Sequence, residues 1–225
     1  MTESKTKSTI QLRLDQKIID FFKSYGKGHI TRMQKALGDY AAAHRFGTGS
    51  KEQPALIAAS LLDDIVAAQQ LLAAGTDPDV VDSGGCSALA WAVRYHRTRM
   101  ALLLLSAGAN PNGASVRPGD LTLLMEASAE GRLDLVNALL SAGADPNIQS
   151  KRNVRSALMI AADHGHLNVV QALIAAGADC GLRDFEGNTA LDIAKLVLKT
   201  KAFMFADMKA QYVEIVRLLC VGDNQ

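Results

Sequence analysis

The sequence lacks any long apolar run. No uncharged apolar stretch in its 225 residues approaches the roughly 18 residues of a membrane-spanning helix. Cysteine is scarce as well, because the three cysteines Cys86, Cys180 and Cys220 are odd in number and too widely spaced for a disulfide framework. The first residues are polar and contain no apolar stretch typical of a secretory signal. These absences predict a cytoplasmic protein without a membrane partner.

Patterns for catalysis and metal binding are also missing. His164 and His166 flank a glycine, but no cysteine or second histidine pair has the spacing of zinc ligands. Asp77, Asp79 and Asp82 match a calcium loop only weakly, because no glutamate closes the loop. No phosphate-binding loop and no nucleophile–base arrangement is present. The sequence therefore predicts a protein that is not an enzyme and needs no cofactor.

Charge is unevenly divided along the chain. Residues 1–48 carry nine Lys and Arg side chains and four Asp and Glu side chains, a net charge of +5. The remaining residues carry 15 basic and 19 acidic side chains, a net charge of −4. This division indicates a small basic module joined to a mildly acidic one, and the basic module is the candidate for binding nucleic acid.

Most of the chain is an internal repeat of about 34 residues. The recurring leucines Leu56, Leu89, Leu124, Leu158 and Leu191 are spaced by 33, 35, 34 and 33 in sequence number. In each of the first four units a glycine follows the leucine at a fixed offset of 19, namely Gly75, Gly108, Gly143 and Gly177. Such a period indicates stacked units, because no single unit of this size can bury its own apolar face.

Each unit has the pattern of two short helices joined by a turn. Leucine and alanine at helical spacing form the first helix, and a turn such as Gly131-Arg132 or Gly165-His166 leads into the second. The repeated glycine ends the second helix, because glycine adopts the left-handed cap conformation at little cost. Trp91 falls at a position inside the unit, so we expect it in the core.

These units resemble ankyrin repeats. The Thr-Pro-Leu-His opening of that family is degenerate here, whereas its Gly-Ala-Asp-x-Asn close is well kept. The clearest closes are Gly108-Ala-Asn-Pro-Asn112 and Gly143-Ala-Asp-Pro-Asn147. The resemblance implies a mainly α fold, an ankyrin-repeat solenoid of about five units over residues 54–222.

The fifth unit is longer than the others. Its buried pair Ile215-Val216 lies at offsets of 24 and 25 from Leu191, whereas the equivalent valines of the fourth unit lie at offsets of 11 and 12 from Leu158. The difference is an insertion that includes Phe203-Met-Phe205 and lengthens the helices of the C-terminal unit. The extension is either a cap that packs on the fourth unit or a feature that binds a partner.

The resemblance also implies where a protein partner binds, namely at the hairpin tips and on the exposed face of the first helices. The tip candidates are Ser83, Cys86, Arg152, Arg155, Phe185 and Asn188, and the face candidates are Leu61, Leu62, Arg94, Tyr95, Glu130, Asp163 and His164. Tyr95 with Arg94 is the best anchor pair, because aromatic residues and arginine dominate interface hot spots. For each candidate the alternative is an ordinary solvated surface residue.

Residues 1–46 follow a different pattern. Ser8-Thr-Ile-Gln-Leu-Arg-Leu14 alternates polar and apolar residues, which is typical of a half-buried strand. Asp15 can cap a following helix, Gly26-Lys-Gly28 ends that helix, and a second helix begins near Thr31. One strand and two helices of this length cannot close a core alone. A symmetric dimer solves this problem, because its two strands pair antiparallel and its helices share one core.

In such a dimer the polar strand face becomes an exposed ribbon that carries Thr9, Gln11 and Arg13. A two-stranded ribbon fits the DNA major groove, where arginine can pair with guanine and glutamine with adenine. The start of the second helix offers free amides to a phosphate. The candidates for phosphate contact are Lys27, Gly28, His29, Thr31 and Arg32.

This order of elements resembles the ribbon-helix-helix DNA-binding fold. The segments Leu12-Arg-Leu-Asp15, Phe21-Phe-Lys23, Gly26-Lys-Gly28 and Thr31-Arg32 are similar, more narrowly, to the BrnA-type antitoxins. The resemblance implies a homodimer that binds double-stranded DNA, with residues 47–53 as a linker to the repeats. The alternative structure is a small helical hairpin that caps the repeats and has a merely solvated polar face.

The two modules together predict a dimeric, sequence-specific DNA-binding protein of bacterial type, a transcriptional regulator or an antitoxin, whose ankyrin repeats bind a protein. The alternative function is an ankyrin adaptor, or an effector delivered to a host, in which the N-terminal module only dimerises.

Overall fold

The computed structural model describes residues 54–116, 121–200 and 206–222 of the chain. Ten helices lie within these residues: α1 (Ala55–Leu62), α2 (Ile65–Ala73), α3 (Ala88–Arg94), α4 (Thr98–Ser106), α5 (Leu123–Ala129), α6 (Leu133–Ser141), α7 (Ala157–His164), α8 (Leu167–Ala175), α9 (Ala190–Thr200) and α10 (Ala206–Gly222). The expected mainly helical fold is confirmed, whereas the expected ribbon-helix-helix module and linker lie outside the described residues and stay predictions. None of these ten helices has the length and apolar character needed to cross a membrane.

The chain divides into two compact units, Met1–Ala88 and Leu89–Gln225. In the described part of the first unit, α1 and α2 pack together as a helical hairpin. In the second unit, the first helix of a repeat contacts the first helix of the next, as α5, α7 and α9 do in succession. The second helices α4, α6, α8 and α10 form a parallel series of contacts. The second unit therefore consists of two layers of helices, as stacking of repeats requires.

The core of each repeat is built from the recurring leucines. Leu89, Leu124 and Leu158 of the first helices are fully buried, as are Leu104, Leu139 and Leu173 of the second helices. Trp91 is only 1% exposed, which confirms its predicted place in the core. The period read from the sequence is therefore the period of the buried side chains.

The repeated glycine follows the second helix of each of the first four units. The φ angles are +85° at Gly75, +92° at Gly108, +89° at Gly143 and +85° at Gly177. A Cβ atom added at any of these four glycines would meet no atom within 4 Å. The left-handed backbone, and not a lack of space, therefore accounts for glycine at these positions.

Asparagine side chains join successive repeats at their closing motifs. Oδ1 of Asn112 accepts a hydrogen bond of 2.8 Å from the backbone amide of Asp145, one repeat later. Oδ1 of Asn147 accepts a bond of 2.7 Å from the amide of Asp179 in the same way. The well-kept close of the repeat thus provides a regular hydrogen-bonded link between units.

The C-terminal repeat has longer helices than the others. Helix α9 has 11 residues and α10 has 17, whereas the eight preceding helices have seven to nine. Helix α10 packs against both α8 and α9, and its side chains Tyr212, Ile215 and Leu219 are buried. The extension therefore lengthens the last two helices and packs on the fourth repeat, as a cap does. The segment Phe203-Met-Phe205 lies outside the described residues.

Candidate functional site

An exposed aromatic ring at the end of α3 is held by a buried one. The rings of Tyr95 and Trp91 stack with their centroids 5.9 Å apart and their planes 18° apart. Trp91 is buried, whereas Tyr95 is 40% exposed. The indole therefore fixes the orientation of a phenol ring that is open to solvent. A surface aromatic held in this way loses little conformational entropy when a partner covers it.

Arg94 lies between two carboxylates of the following repeat. Its Nη1 atom is 3.6 Å from Oε1 of Glu126 and 3.8 Å from Oε1 of Glu130. Nε2 of His96 lies 2.9 Å from the other oxygen of Glu130. The predicted face residues Arg94 and Glu130 are thus brought together in one ion-pair cluster, directly beside Tyr95 in the chain.

Glu126 belongs to this cluster but was not among the residues predicted from the sequence. It is only 1% exposed, although the equivalent positions of the other repeats in this unit carry Trp91, Ile160 and Ile193. Its Oε2 atom accepts a hydrogen bond from the hydroxyl of Ser115. A buried carboxylate needs such partners, because burial without them is costly. The sequence could have indicated Glu126, because it is an acidic residue at a repeat position that is otherwise apolar.

The electrostatics of the cluster keep His96 uncharged at neutral pH. Burial lowers the pKa of His96 below its usual value of 6.5, and the positive charges of Arg132 and Arg94 lower it further. The opposing effect of Glu126 is smaller than that of Arg132. Nearby, hydrogen bonds from Arg132 and Thr98 lower the pKa of Asp134 to about 2. The guanidinium of Arg94 therefore faces Glu126 and Glu130 beside a neutral imidazole.

A second ion-pair cluster joins a predicted tip residue to a predicted face residue. Nη1 of Arg155 lies 2.8 Å from Oδ2 of Asp163, and its Nε lies 3.6 Å from Oδ2 of Asp184. Asp184 is buried, and its Oδ1 accepts hydrogen bonds of 2.9 Å from the amides of Glu186 and Asn188. Arg155 therefore connects the face of α7 with two successive hairpin tips.

The tips before α7 and α9 are also joined through their backbones. The amide of Phe185 donates a hydrogen bond of 3.1 Å to the carbonyl oxygen of Asn153. Nε2 of Gln149 donates to the carbonyl oxygens of Val154 at 2.7 Å and Arg183 at 2.9 Å. The side chain of Phe185 nevertheless remains 81% exposed. The structure thus brings the predicted tip residues Arg152, Arg155 and Phe185 into two adjoining loops.

The two histidines at the end of α7 have separate roles. Nδ1 of His164 donates a 2.9 Å hydrogen bond to the carbonyl oxygen of Ile160, and the side chain is exposed. The ring of His166 covers Gly131, and its Nε2 donates a 3.1 Å bond to the carbonyl oxygen of Ala129. Among the described residues, no group of three His, Cys, Asp or Glu side chains is placed to hold a metal ion.

One predicted face residue is corrected by the structure. Leu61 is buried, so the expectation that a partner could reach its side chain is wrong. Arg94 and Asp163 occupy the equivalent position in other repeats. Their charged ends remain accessible to solvent, whereas the apolar side chain of Leu61 is covered. Leu62 is half-buried.

The remaining candidates divide into two groups. Ser83 is exposed, and Cys86 and Asn188 are half-buried. The DNA-contact candidates lie outside the described residues and stay predictions: Thr9, Gln11, Arg13, Lys27, Gly28, His29, Thr31 and Arg32. The described site is therefore the surface that carries Tyr95, the two ion-pair clusters and the joined tips.

Comparison with protein families confirms both resemblances seen in the sequence. Residues 124–225 match a model of three ankyrin repeats, and residues 84–115 match a single ankyrin repeat. Residues 1–41 match the BrnA antitoxin of type II toxin-antitoxin systems.

One curated relative shares part of the chain. The glycerophosphocholine phosphodiesterase gde1 of Schizosaccharomyces pombe is 40% identical over 76 residues, which are 34% of this chain. The chain spans only 7% of the length of that relative. The similarity is therefore confined to a small part of the relative and gives no reason to assign its activity to this chain.

Proposed function

We propose that this chain, which contains ankyrin repeats and a BrnA antitoxin-like N-terminal segment, is a homodimeric DNA-binding protein whose repeats bind a protein partner. The observation that carries the DNA-binding half is the match of residues 1–41 to the BrnA antitoxin. In the same segment the alternating sequence predicts a strand with Thr9, Gln11 and Arg13 on one face, and residues 1–48 have a net charge of +5. A positive net charge favours binding to phosphate, and these three side chains can read base edges.

Dimerisation follows from the small size of this module. A single strand has unpaired backbone groups, and about 40 residues bury too little apolar surface for independent stability. Pairing of two strands across a two-fold axis removes both problems. A two-fold protein is expected to select a palindromic site, because each copy reads one half-site.

The partner-binding half rests on the ankyrin repeats and on the surface they present. Ankyrin repeats suggest protein–protein interaction. The ring of Tyr95 stacks on Trp91, and Arg94 and Arg155 are each paired with two carboxylates. Side chains fixed before binding lose less entropy on binding than mobile ones. The partner is either a toxin that the protein neutralises or a co-regulator.

Selection of DNA from a pool of random duplexes tests this proposal. The intact protein is compared with Arg13→Ala, and Lys209→Ala on α10 serves as the control, because Lys209 is exposed on the C-terminal cap. We expect a palindromic sequence to be enriched by the wild type and the control but lost with Arg13→Ala. Absence of DNA binding at low salt, where phosphate contacts are strongest, contradicts the proposal.

The same experiment separates the proposal from the ankyrin adaptor or host-directed effector. An adaptor whose N-terminal module only dimerises predicts that none of the three proteins selects DNA. Under either function the chain acts by binding, and we propose a non-catalytic role within the cytoplasm.

A further inference from the structure

The most exposed large apolar side chain in the described part of the chain is Phe185, at 81%. It lies in the loop before α9, which adjoins the loop before α7. We refer to residues 151–155 and 183–188 as the double tip. A phenylalanine exposed to this degree lacks most of the favourable free energy of burial, which a partner that covers it would supply.

The double tip is held in one arrangement by several independent contacts. The backbone amide of Phe185 donates a hydrogen bond to the carbonyl oxygen of Asn153. The side-chain amide of Gln149 donates to the carbonyl oxygens of both Val154 and Arg183. Arg155 adds its ion pair with Asp184. The exposed phenyl ring therefore projects from a loop whose backbone is already fixed, which lowers the entropy cost of binding.

A strained residue lies inside this arrangement. Val154 has a φ of +55°, in the left-handed region that β-branched residues avoid. Its amide donates a 2.9 Å hydrogen bond to the carbonyl oxygen of Ser150, and its own carbonyl accepts from Gln149. Strained backbone of this kind is concentrated at binding and switching sites. The surrounding contacts thus hold a loop shape that the sequence alone would not favour.

The exposed charges of the double tip are mainly positive. Lys151, Arg152 and Arg183 are exposed, whereas Glu186 is the single exposed carboxylate in these two segments. The buried carboxylate of Asp184 already faces Arg155. An apolar ring in loops with an excess of positive charge is complementary to a segment that carries carboxylates next to an apolar side chain.

We propose that the double tip binds an acidic peptide segment of the partner protein, with Phe185 covered by an apolar side chain and with Arg152 and Arg183 paired to carboxylates. This inference rests on the proposed function, because it specifies the partner of the ankyrin repeats. It adds Lys151 and Arg183 to the residues that the repeat pattern assigns to partner binding.

Peptide chemistry is favoured over nucleic acid at this surface. Affinity for nucleic acid grows with the number of phosphates that Lys and Arg side chains neutralise, and only three exposed cations are present in these two segments. Glu186 adjoins Phe185 in the chain and would repel a continuous phosphate backbone. A short peptide can place its few carboxylates against the three cations and leave Glu186 in solvent.

Selection of random peptides displayed on phage tests the proposal with the intact protein as bait. Peptides recovered on the wild type are counter-selected on Phe185→Ser, and the same counter-selection on Leu196→Ser is the control. Leu196 is 53% exposed on α9, outside the double tip. We expect the peptides lost only with Phe185→Ser to combine Asp or Glu with an aromatic or aliphatic residue.

Fluorescence anisotropy with the selected consensus peptide gives the quantitative result. We expect about thirtyfold weaker binding to Phe185→Ser and to the pair Arg152→Glu and Arg183→Glu, the loss typical of a hot-spot residue. The pair Lys195→Glu and Lys199→Glu, at two exposed positions of α9, is the matched charge control and should bind as the wild type does. Circular dichroism establishes that every variant is folded.

Three outcomes overturn the proposal. The first is that the peptides lost with Phe185→Ser are basic or uncharged. The second is that no recovered peptide is lost with Phe185→Ser. The third is preferential binding of a single-stranded oligonucleotide that is lost with Phe185→Ser. Failure of the proposed function is distinguishable, because loss of DNA selection by the intact protein leaves peptide binding at the double tip unaffected. A natural protein partner that binds Phe185→Ser normally would overturn this inference alone.

Discussion

The hydroxyl of Tyr212 donates a 2.6 Å hydrogen bond to the carbonyl oxygen of Asp163. The ring of Tyr212 lies over Gly165, and a Cβ atom at Gly165 would come within 2.7 Å of it. The contact joins the last helix α10 to the end of α7, two residues before the glycine of the turn.

The same contact occurs one repeat earlier with different residues. The ring of His166 lies over Gly131, and its Nε2 bonds to the carbonyl of Ala129, again two residues before the glycine. Tyr212 is therefore the structural counterpart of His166 in the extended C-terminal repeat. The cap keeps the inter-repeat contact although its first helix and connection are longer.

Removal of the Tyr212 hydroxyl isolates this hydrogen bond. We expect Tyr212→Phe to lower the free energy of unfolding by about 1 kcal/mol, because the carbonyl of Asp163 loses its partner while the ring still packs. Urea denaturation followed by circular dichroism measures the change. Tyr95→Phe is the control, since that side chain is exposed. Equal stability of Tyr212→Phe and the wild type contradicts this account of the cap.

Alanine substitutions at Gly165 and Gly177, whose φ angles are similar, separate the cost of backbone strain from the cost of steric overlap. Gly177→Ala should cost about 1–2 kcal/mol, because only the left-handed backbone opposes it. Gly165→Ala should cost about 1–3 kcal/mol more, because its Cβ also overlaps the Tyr212 ring. Denaturation midpoints of the two variants give the comparison. If both substitutions cost the same, the ring does not pack over Gly165.

Because Glu126 is buried, substitutions of Glu126 and of its partner Arg94 should change the free energy of unfolding unequally. Glu126→Ile should leave stability nearly unchanged or raise it by about 1 kcal/mol or more, because it replaces a buried charge by the type of residue found at the equivalent Ile160 and Ile193. Arg94→Met should instead destabilise, because Glu126 keeps its buried charge without the guanidinium. Partial exposure of Arg94 reduces that loss.

A double-mutant cycle is the measurement for this pair. Arg94→Met combined with Glu126→Ile should recover most of the stability that Arg94→Met loses. If the effects of the two single substitutions on the free energy of unfolding simply add in the double variant, the two side chains do not interact.

Acidification should destabilise the repeats through His166. Burial lowers the pKa of His166 below 6.5, so the unfolded chain binds a proton at a higher pH than the folded chain. As pH falls through 6.5 and towards the lower folded pKa, protonation therefore favours unfolding. The destabilisation is absent well above pH 6.5.

Urea midpoints measured between about pH 7.5 and pH 5.5 test this effect. The wild type should lose stability across this window, and His166→Asn should lose less. His96 contributes in the same direction, since burial lowers its pKa as well. An identical pH slope in the wild type and His166→Asn shows that His166 is not the responsible group.

The repeat architecture could be predicted because it depends on spacing alone. Leucines at a nearly constant spacing, the first four each followed by a glycine at a fixed offset, determine which side chains are buried and where the second helices end. Trp91 falls into the core for the same reason. Leu61 shows the limit of this reasoning, because a repeat position that is exposed with a charged residue becomes buried with leucine.

Contacts between repeats were harder to predict. Arg94 and Glu126 belong to successive repeats, and their pairing depends on side-chain rotamers that spacing does not determine. Tyr212 was detectable in principle, since it precedes Ile215 by three residues as His166 precedes Val169. The insertion that precedes it in the C-terminal repeat hides that equivalence from a fixed period.

Light scattering by the intact protein mixed with the palindromic duplex that it enriches tests the central proposal most directly. We expect a dimer that binds the duplex as two chains, and loss of the complex with Arg13→Ala while the dimer remains. A protein that stays free of DNA under these conditions contradicts it, and so does a complex that Arg13→Ala forms equally well.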